Sequence, residues 1–149
     1  AKEFLPLIGR DLIKKGVEIR ADQQSSDLLG IDSAPASNED WRTEYLDLIL
    51  SVKVVSDIND AIDHINEYGS HHSDCIVTDS RENADLFMKK IDSATVFWNV
   101  STRFSDGEEF GFGAEIGIST DKLHARGPMA LRELTSYKYL IAGNGQTKS

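Results

Sequence analysis

Apolar residues at Phe4, Leu5, Ile8, Leu12 and Ile13 recur every three or four positions and stop at Gly16. That spacing makes one face of a helix, closed by a residue that accepts a left-handed turn. VEIRA at residues 17–21 alternates and predicts a short strand. The stretch from there to Asp40 is polar, holds Pro35 and several serines, and has one brief apolar break at Leu28 to Ile31. It reads as irregular chain. Residues 45–55, YLDLILSVKVV, are rich in Leu, Ile and Val and read as the next strand, running into Asp57. Asp57 is a good N-cap for a helix bearing Ile58, Ala61, Ile62 and Ile65 on one face, with Gly69 at its end. CIVT at 75–78 makes a further strand, Ser80 caps a helix with Ala84, Phe87, Met88 and Ile91 inward, and ATVFWN at 94–99 returns to strand.

Strands alternating with helices of this length predict an α/β layer structure with a mostly parallel sheet. Beyond it the composition shifts. STRFSDGEEFGFGAEIG at 101–117 is rich in glycine and polar groups and reads as loop or extended chain. Pro128 at a first helical turn predicts a short helix through Leu134, YKYLIA at 137–142 a final strand, and 143–149 a tail.

The totals narrow the function. With 25 acidic against 16 basic residues and a net charge of -9, the long-range field repels nucleic acid and anionic membrane surfaces. No apolar run approaches the roughly 20 residues that span a bilayer. The single cysteine, Cys75, leaves no intramolecular disulfide framework and fits a reducing compartment. The opening AKEFLPLIGR lacks an initiator Met and is expected to continue from a longer protein.

In open parallel sheets, ligands gather beyond the carboxyl ends of the strands. Ser56-Asp57, Thr78-Asp79-Ser80 and Asn99 to Arg103 occupy such places, and the first two are accounted for as helix caps. NVSTRF instead leads into a glycine-rich loop, which leaves Ser101, Thr102 and Arg103 with no capping task. Arg103 is then either a fork for a carboxylate or phosphate, or a surface ion pair. GFGAEIG has its glycines spaced G-x-G-x-x-x-G, which fails the dinucleotide fingerprint and reads as a close crossing of two backbones. DINDAIDHINE lacks the glycine turn of a calcium loop. His71 and His72 are neighbours whose side chains tend to diverge, so no metal site is expected. Cys75, inside an apolar strand, reads as core.

One surplus remains. Val55, Ala61, Ile62, His64, Ile65, Tyr68, Gly69, Ser70, His72, Ser73, Asp74 and Ile76 are more particular than packing requires, and they match the signature pattern of the gamma-glutamyl phosphate reductase family. NVSTRFSDG, GFGAEIGIST and LHARGPMALRELTSYKY resemble that family's C-terminal blocks in the same order. The family lies in the aldehyde dehydrogenase superfamily. The resemblance therefore implies a three-layer α/β/α catalytic domain with mostly parallel sheet, plus a C-terminal oligomerisation strand. Residues 1–105 would be the C-terminal part of that domain, 106–135 the crossover and short helix, and 136–142 the strand.

The implied activity is NADPH-dependent reduction of L-glutamate 5-phosphate to the 5-semialdehyde, a step of proline biosynthesis, through a cysteine thioester. The family's Cys-Asn-Ala nucleophile segment is absent from this sequence, so no catalytic residue is expected here and the chain alone is expected to be inactive. Glu44, in TEYL, resembles the superfamily glutamate that bonds the nicotinamide ribose. Ser101, Thr102 and Arg103 stand where substrate-anchoring loops occur. SYKYLI resembles the strand that pairs subunits, which implies a homo-oligomer with a covered sheet edge. A cytoplasmic location is expected. Two other readings compete: a non-catalytic α/β binding or oligomerisation module, and a piece of a bifunctional protein fused to a glutamate 5-kinase.

Overall fold

The computed structural model describes residues 1–148. Helix α1 (Phe4–Lys14) leads into strand β1 (Glu18–Ala21), which pairs in parallel with β2 (Ala34–Pro35) on one side. On its other side β1 pairs, again in parallel, with β3 (Ile49–Val52). Ile19, Ala21 and Leu29 form the buried centre here, covered by Leu5, Leu12, Ile31 and Val52. Ile19 is 1% exposed, so its side chain alone removes enough apolar surface from water to contribute about 1.5–3 kcal/mol.

Helix α3 (Ile58–Tyr68), strand β4 (Ser73–Ile76), helix α4 (Arg81–Lys90) and strand β5 (Thr95–Trp98) make the second unit. β4 and β5 are parallel. Ile62, Phe87 and Ile91 are buried between the helices and the strands, with Ile58, Ile65, Ile76, Leu86 and Val96 around them. Both helices start as the sequence predicts. The Asp57 carboxylate accepts from the Asn59 and Asp60 amides, and Ser80 Oγ accepts from the Asn83 amide at 3.2 Å. Asn66 fastens one helix to the end of the other, donating to Lys90 O at 3.0 Å and accepting from Asp92 N at 2.9 Å. Parallel α/β pairing is thus present in both units.

Three segments differ from expectation. The stretch before Asp40 is ordered as helix α2 (Gln23–Leu29), β2 and a 3-10 turn at Asp40–Arg42. Asp22 caps α2 by accepting from the Ser25 amide, and Gly30 ends it with φ of 61°. Pro128 does not start a helix. It lies in β7 (Gly127–Met129), antiparallel to β6 (Ile116–Ile118), opposite Gly117. A proline has no amide to give the ladder, and a two-stranded edge tolerates that. Residues 137–142 make no strand within the chain, where Tyr137, Tyr139, Leu140 and Ile141 all stand exposed. A strand needs a hydrogen-bonded neighbour, and no strand among the described residues pairs with them.

The turn at residues 69–74 gains its meaning from the glycine-rich segment. His71 adopts φ of 59°, and His71 O and His72 O accept from Ala94 N and Thr95 N, each at 2.9 Å. The His72 ring lies against β6. A Cβ on Gly117 would come within 2.6 Å of its Nε2, so Gly117 is the residue that lets the hairpin approach. This is a backbone meeting a side chain, a variant of the close crossing expected for GFGAEIG.

Candidate functional site

Glu44 lies in the loop between the 3-10 turn at Asp40–Arg42 and β3, and two anchors hold that loop. The first is Asp40. Its carboxylate accepts from Ser37 N and Ser37 Oγ, both at 2.7 Å, from Arg20 Nη1 of β1 at 2.9 Å, and from the Tyr45 hydroxyl at 2.6 Å. The Tyr45 hydroxyl, then Arg20 and Ser37, hold the Asp40 carboxyl well below the usual carboxylate range. Burial first, and the adjacent Asp40 carboxylate second, push the Tyr45 phenol up. The second anchor is Arg42, which donates to Glu67 O on α3 at 2.9 Å and lies 4.5 Å over the Tyr68 ring.

Between these anchors Glu44 is exposed. It forms no hydrogen bond or ion pair among the described residues. It borders a cleft of about 560 Å³ with Trp41, Arg42, Thr43, Tyr68, Gly69 and Ser70. An unpartnered carboxylate on a cleft wall beside an aromatic ring can accept from vicinal sugar hydroxyls, so the donor set fits a nucleotide ribose. Leu46, two residues on, has φ of 52° and is almost wholly exposed.

The second expected cluster sits at the carboxyl ends of β4 and β5, where the ladder is closed by a side chain. Asn99 adopts φ of 55°, accepts from Thr78 N and donates to Thr78 O, both at 2.9 Å. Trp98 Nε1 donates to the same carbonyl at 3.0 Å. The chain then leaves the sheet through Val100, whose carbonyl accepts from Cys75 Sγ at 3.1 Å. Cys75 is half-buried and holds the start of this loop rather than lying deep in the core.

Ser101 has a capping task after all: its Oγ accepts from the Arg103 amide at 3.2 Å and so starts a 3-10 turn at Thr102–Phe104. A serine takes that role wherever the next amides lack backbone partners. Ser101 borders an open depression with Val77, Asp79, Asn99 and Val100. Thr102 and Arg103 are exposed, and Arg103 has no ion pair among the described residues. Glu44 and Ser101 border different clefts, so the chain does not bring its two expected clusters into one pocket.

His64, Trp41 and Asp40 are the residues that site reasoning from sequence passed over. Asp40 carried a signal: SNED at 37–40 is a Ser-x-x-acid capping box, realised by the Ser37 amide donating to Asp40. No group of three or more His, Cys, Asp and Glu side chains converges among the described residues, and no described helix is long and apolar enough to cross a membrane.

The elements thus form a parallel α/β segment in which the Glu44 carboxylate and the Arg103 guanidinium stand exposed and unpaired among the described residues. Comparison with known proteins narrows this further. No protein-family model matches the chain. A gamma-glutamyl phosphate reductase from Francisella philomiragia is 57% identical over 148 residues, covering 99% of this chain and 36% of the relative. Its counterpart from Ruminiclostridium cellulolyticum is 58% identical over 146 residues, covering 98% and 33%. Among solved structures, the gamma-glutamyl phosphate reductase of Thermotoga maritima superposes with a TM-score of 0.87 at 50% identity, covering 99% of this chain and 36% of that one. The Saccharomyces cerevisiae enzyme of the same name gives 0.54 at 28% identity over 80% of this chain. The chain is homologous along nearly its whole length to gamma-glutamyl phosphate reductases, and spans about a third of the length of the curated relatives it matches.

Proposed function

We propose that this chain is the C-terminal part of the catalytic domain of a gamma-glutamyl phosphate reductase, an oxidoreductase of proline biosynthesis. The whole protein reduces L-glutamate 5-phosphate to L-glutamate 5-semialdehyde with NADPH and releases phosphate. A cysteine thiolate outside this chain attacks the acyl carbon, the phosphate leaves, and the thioester so formed is reduced to the aldehyde with return of the thiol. NADPH supplies the hydride. From this chain, Glu44 accepts from the nicotinamide ribose, while Ser101, Thr102 and Arg103 bind the glutamyl carboxylate or the phosphate. Residues 137–142 pair with a second copy in a homo-oligomer, and the protein works in the cytoplasm.

The observation that carries this reading is 57% identity over 148 residues, 99% of the chain. Glu44 on its cleft and the exposed Arg103 support it, because each offers a charge that nothing else among the described residues neutralises. The test uses the full-length protein that contains this segment. NADP⁺-dependent and phosphate-dependent oxidation of the semialdehyde, the reverse of the reaction above, is followed at the nicotinamide absorbance. Turnover that requires both phosphate and nucleotide is expected. Absence of phosphate dependence with the semialdehyde rejects the assignment. The isolated chain is expected to give no turnover, and turnover there would show that it holds its own nucleophile.

A further inference from the structure

A column of stacked side chains runs beside the Glu44 loop, and the reading above gives it no task. Lys53 Nζ lies 5.5 Å from the centre of the Trp41 ring. Trp41 meets His64 edge to face at 5.5 Å, and His64 is tilted against Tyr68 at 4.7 Å. Arg42 completes the column over Tyr68. Lys53 Nζ is also 3.3 Å from His64 Nδ1. An ammonium can only donate, so Nδ1 is the acceptor and the imidazole is neutral with its proton on Nε2.

The placement decides what the column does. Trp41 and Arg42 form the turn that ends two residues before Glu44, whereas His64 and Tyr68 project from successive turns of α3. With no side-chain partner of its own among the described residues, Glu44 is placed by its backbone alone. That backbone is held from β1 through Asp40 and from α3 through the column. We propose that His64 is a positioning residue for Glu44, fixing Trp41 and with it the turn that aims the Glu44 carboxylate at a nucleotide ribose. This rests on the nucleotide role given to Glu44 above. It also explains why a histidine, rather than an aliphatic residue, stands on a helix face where packing would accept either: the ring packs edge to face on Trp41, lies tilted against Tyr68 and accepts from Lys53.

A double-mutant cycle on the full-length protein tests it, read as the dissociation constant of NADPH from the nicotinamide fluorescence, with no turnover required. His64→Ala is expected to weaken binding about tenfold when Glu44 is present and by less than about twofold in a Glu44→Gln background, because the two act through one contact. Rescue to within about twofold by His64→Phe, which keeps a ring on Trp41, is expected as well. If His64→Ala yields no soluble protein, His64→Gln replaces it in the cycle. A His64 effect that is absent, or equal in both backgrounds, overturns the positioning role while leaving Glu44 as a nucleotide contact. A silent Glu44→Gln instead rejects the nucleotide role itself, and this inference with it.

Discussion

Replacing Gly117 by alanine puts the contact between the signature turn and the glycine-rich hairpin to a quantitative test. The new methyl would lie 2.6 Å from His72 Nε2 and 3.3 Å from Cε1, well inside ordinary van der Waals contact. Nδ1 is held 2.8 Å from Ser73 Oγ, so swinging the ring aside gives up that hydrogen bond. Overpacking of this kind costs about 1–3 kcal/mol. In a chain of this size that lowers the melting temperature by about 2–4 °C per kcal/mol. The assay is urea unfolding followed by tryptophan fluorescence, on Gly117→Ala, His72→Ala and the pair. Alanine at 117 should be destabilising with His72 present and close to neutral without it, since the colliding atoms are gone. A Gly117→Ala protein within about 0.5 kcal/mol of the parent, or a penalty that survives in His72→Ala, refutes the account.

Further outcomes follow from the same geometry. Burial, and then the Lys53 charge, hold the His64 imidazole below its ordinary pKa, opposed by Glu67. Tyr68 and Trp41 face the same ring, Arg42 lies over the Tyr68 ring, and Asp60 and Asp63 share the His64 cleft. A lowered folded-state value means the unfolded chain takes up the proton first. This contribution to stability is therefore complete above about pH 6.5 and declines as pH falls below it. Urea midpoints from pH 8 to 5 should show a smaller decline in His64→Phe, and an unchanged decline would remove His64 as its source. Under the proposed function, Arg103→Lys in the full-length protein should raise the Michaelis constant for the acyl phosphate, since a point charge would replace a bidentate fork; unchanged kinetics would take Arg103 out of the proposed substrate site.

Much of this structure was legible because caps and periodicity agreed. Asp57 and Ser80 each precede an apolar stripe, and each makes the bond its side chain suits. Helix α2 escaped notice because QQSSDLL has only seven residues and buries just Ser25 and Leu29, too few for a repeat to emerge. Pro128 misled in a different way. A proline opens a helix or sits on a strand edge with the same φ, and only the presence of β6 beside it decides between them. Arg103 stood out as a charge after a strand and Glu44 only through the family resemblance, while the contacts around them left no trace. Asp40 draws together Arg20, Ser37 and Tyr45, and His64 reaches Trp41 twenty-three positions away. Neither partnership leaves a local pattern. The family signature contained His64, yet its reason became visible only once Trp41 stood against the ring.

The two hydrogen bonds between Asn99 and Thr78 carry a practical consequence. They act as one additional rung of the β4–β5 ladder, built from a side chain instead of a second backbone, so the sheet is finished before Val100 begins. Whatever follows hangs from a fixed point of departure. A loop attached at that point changes length at only a small entropic cost, while the strands beneath keep their register. Within this chain, the natural seam for grafting a new specificity loop lies immediately after Asn99.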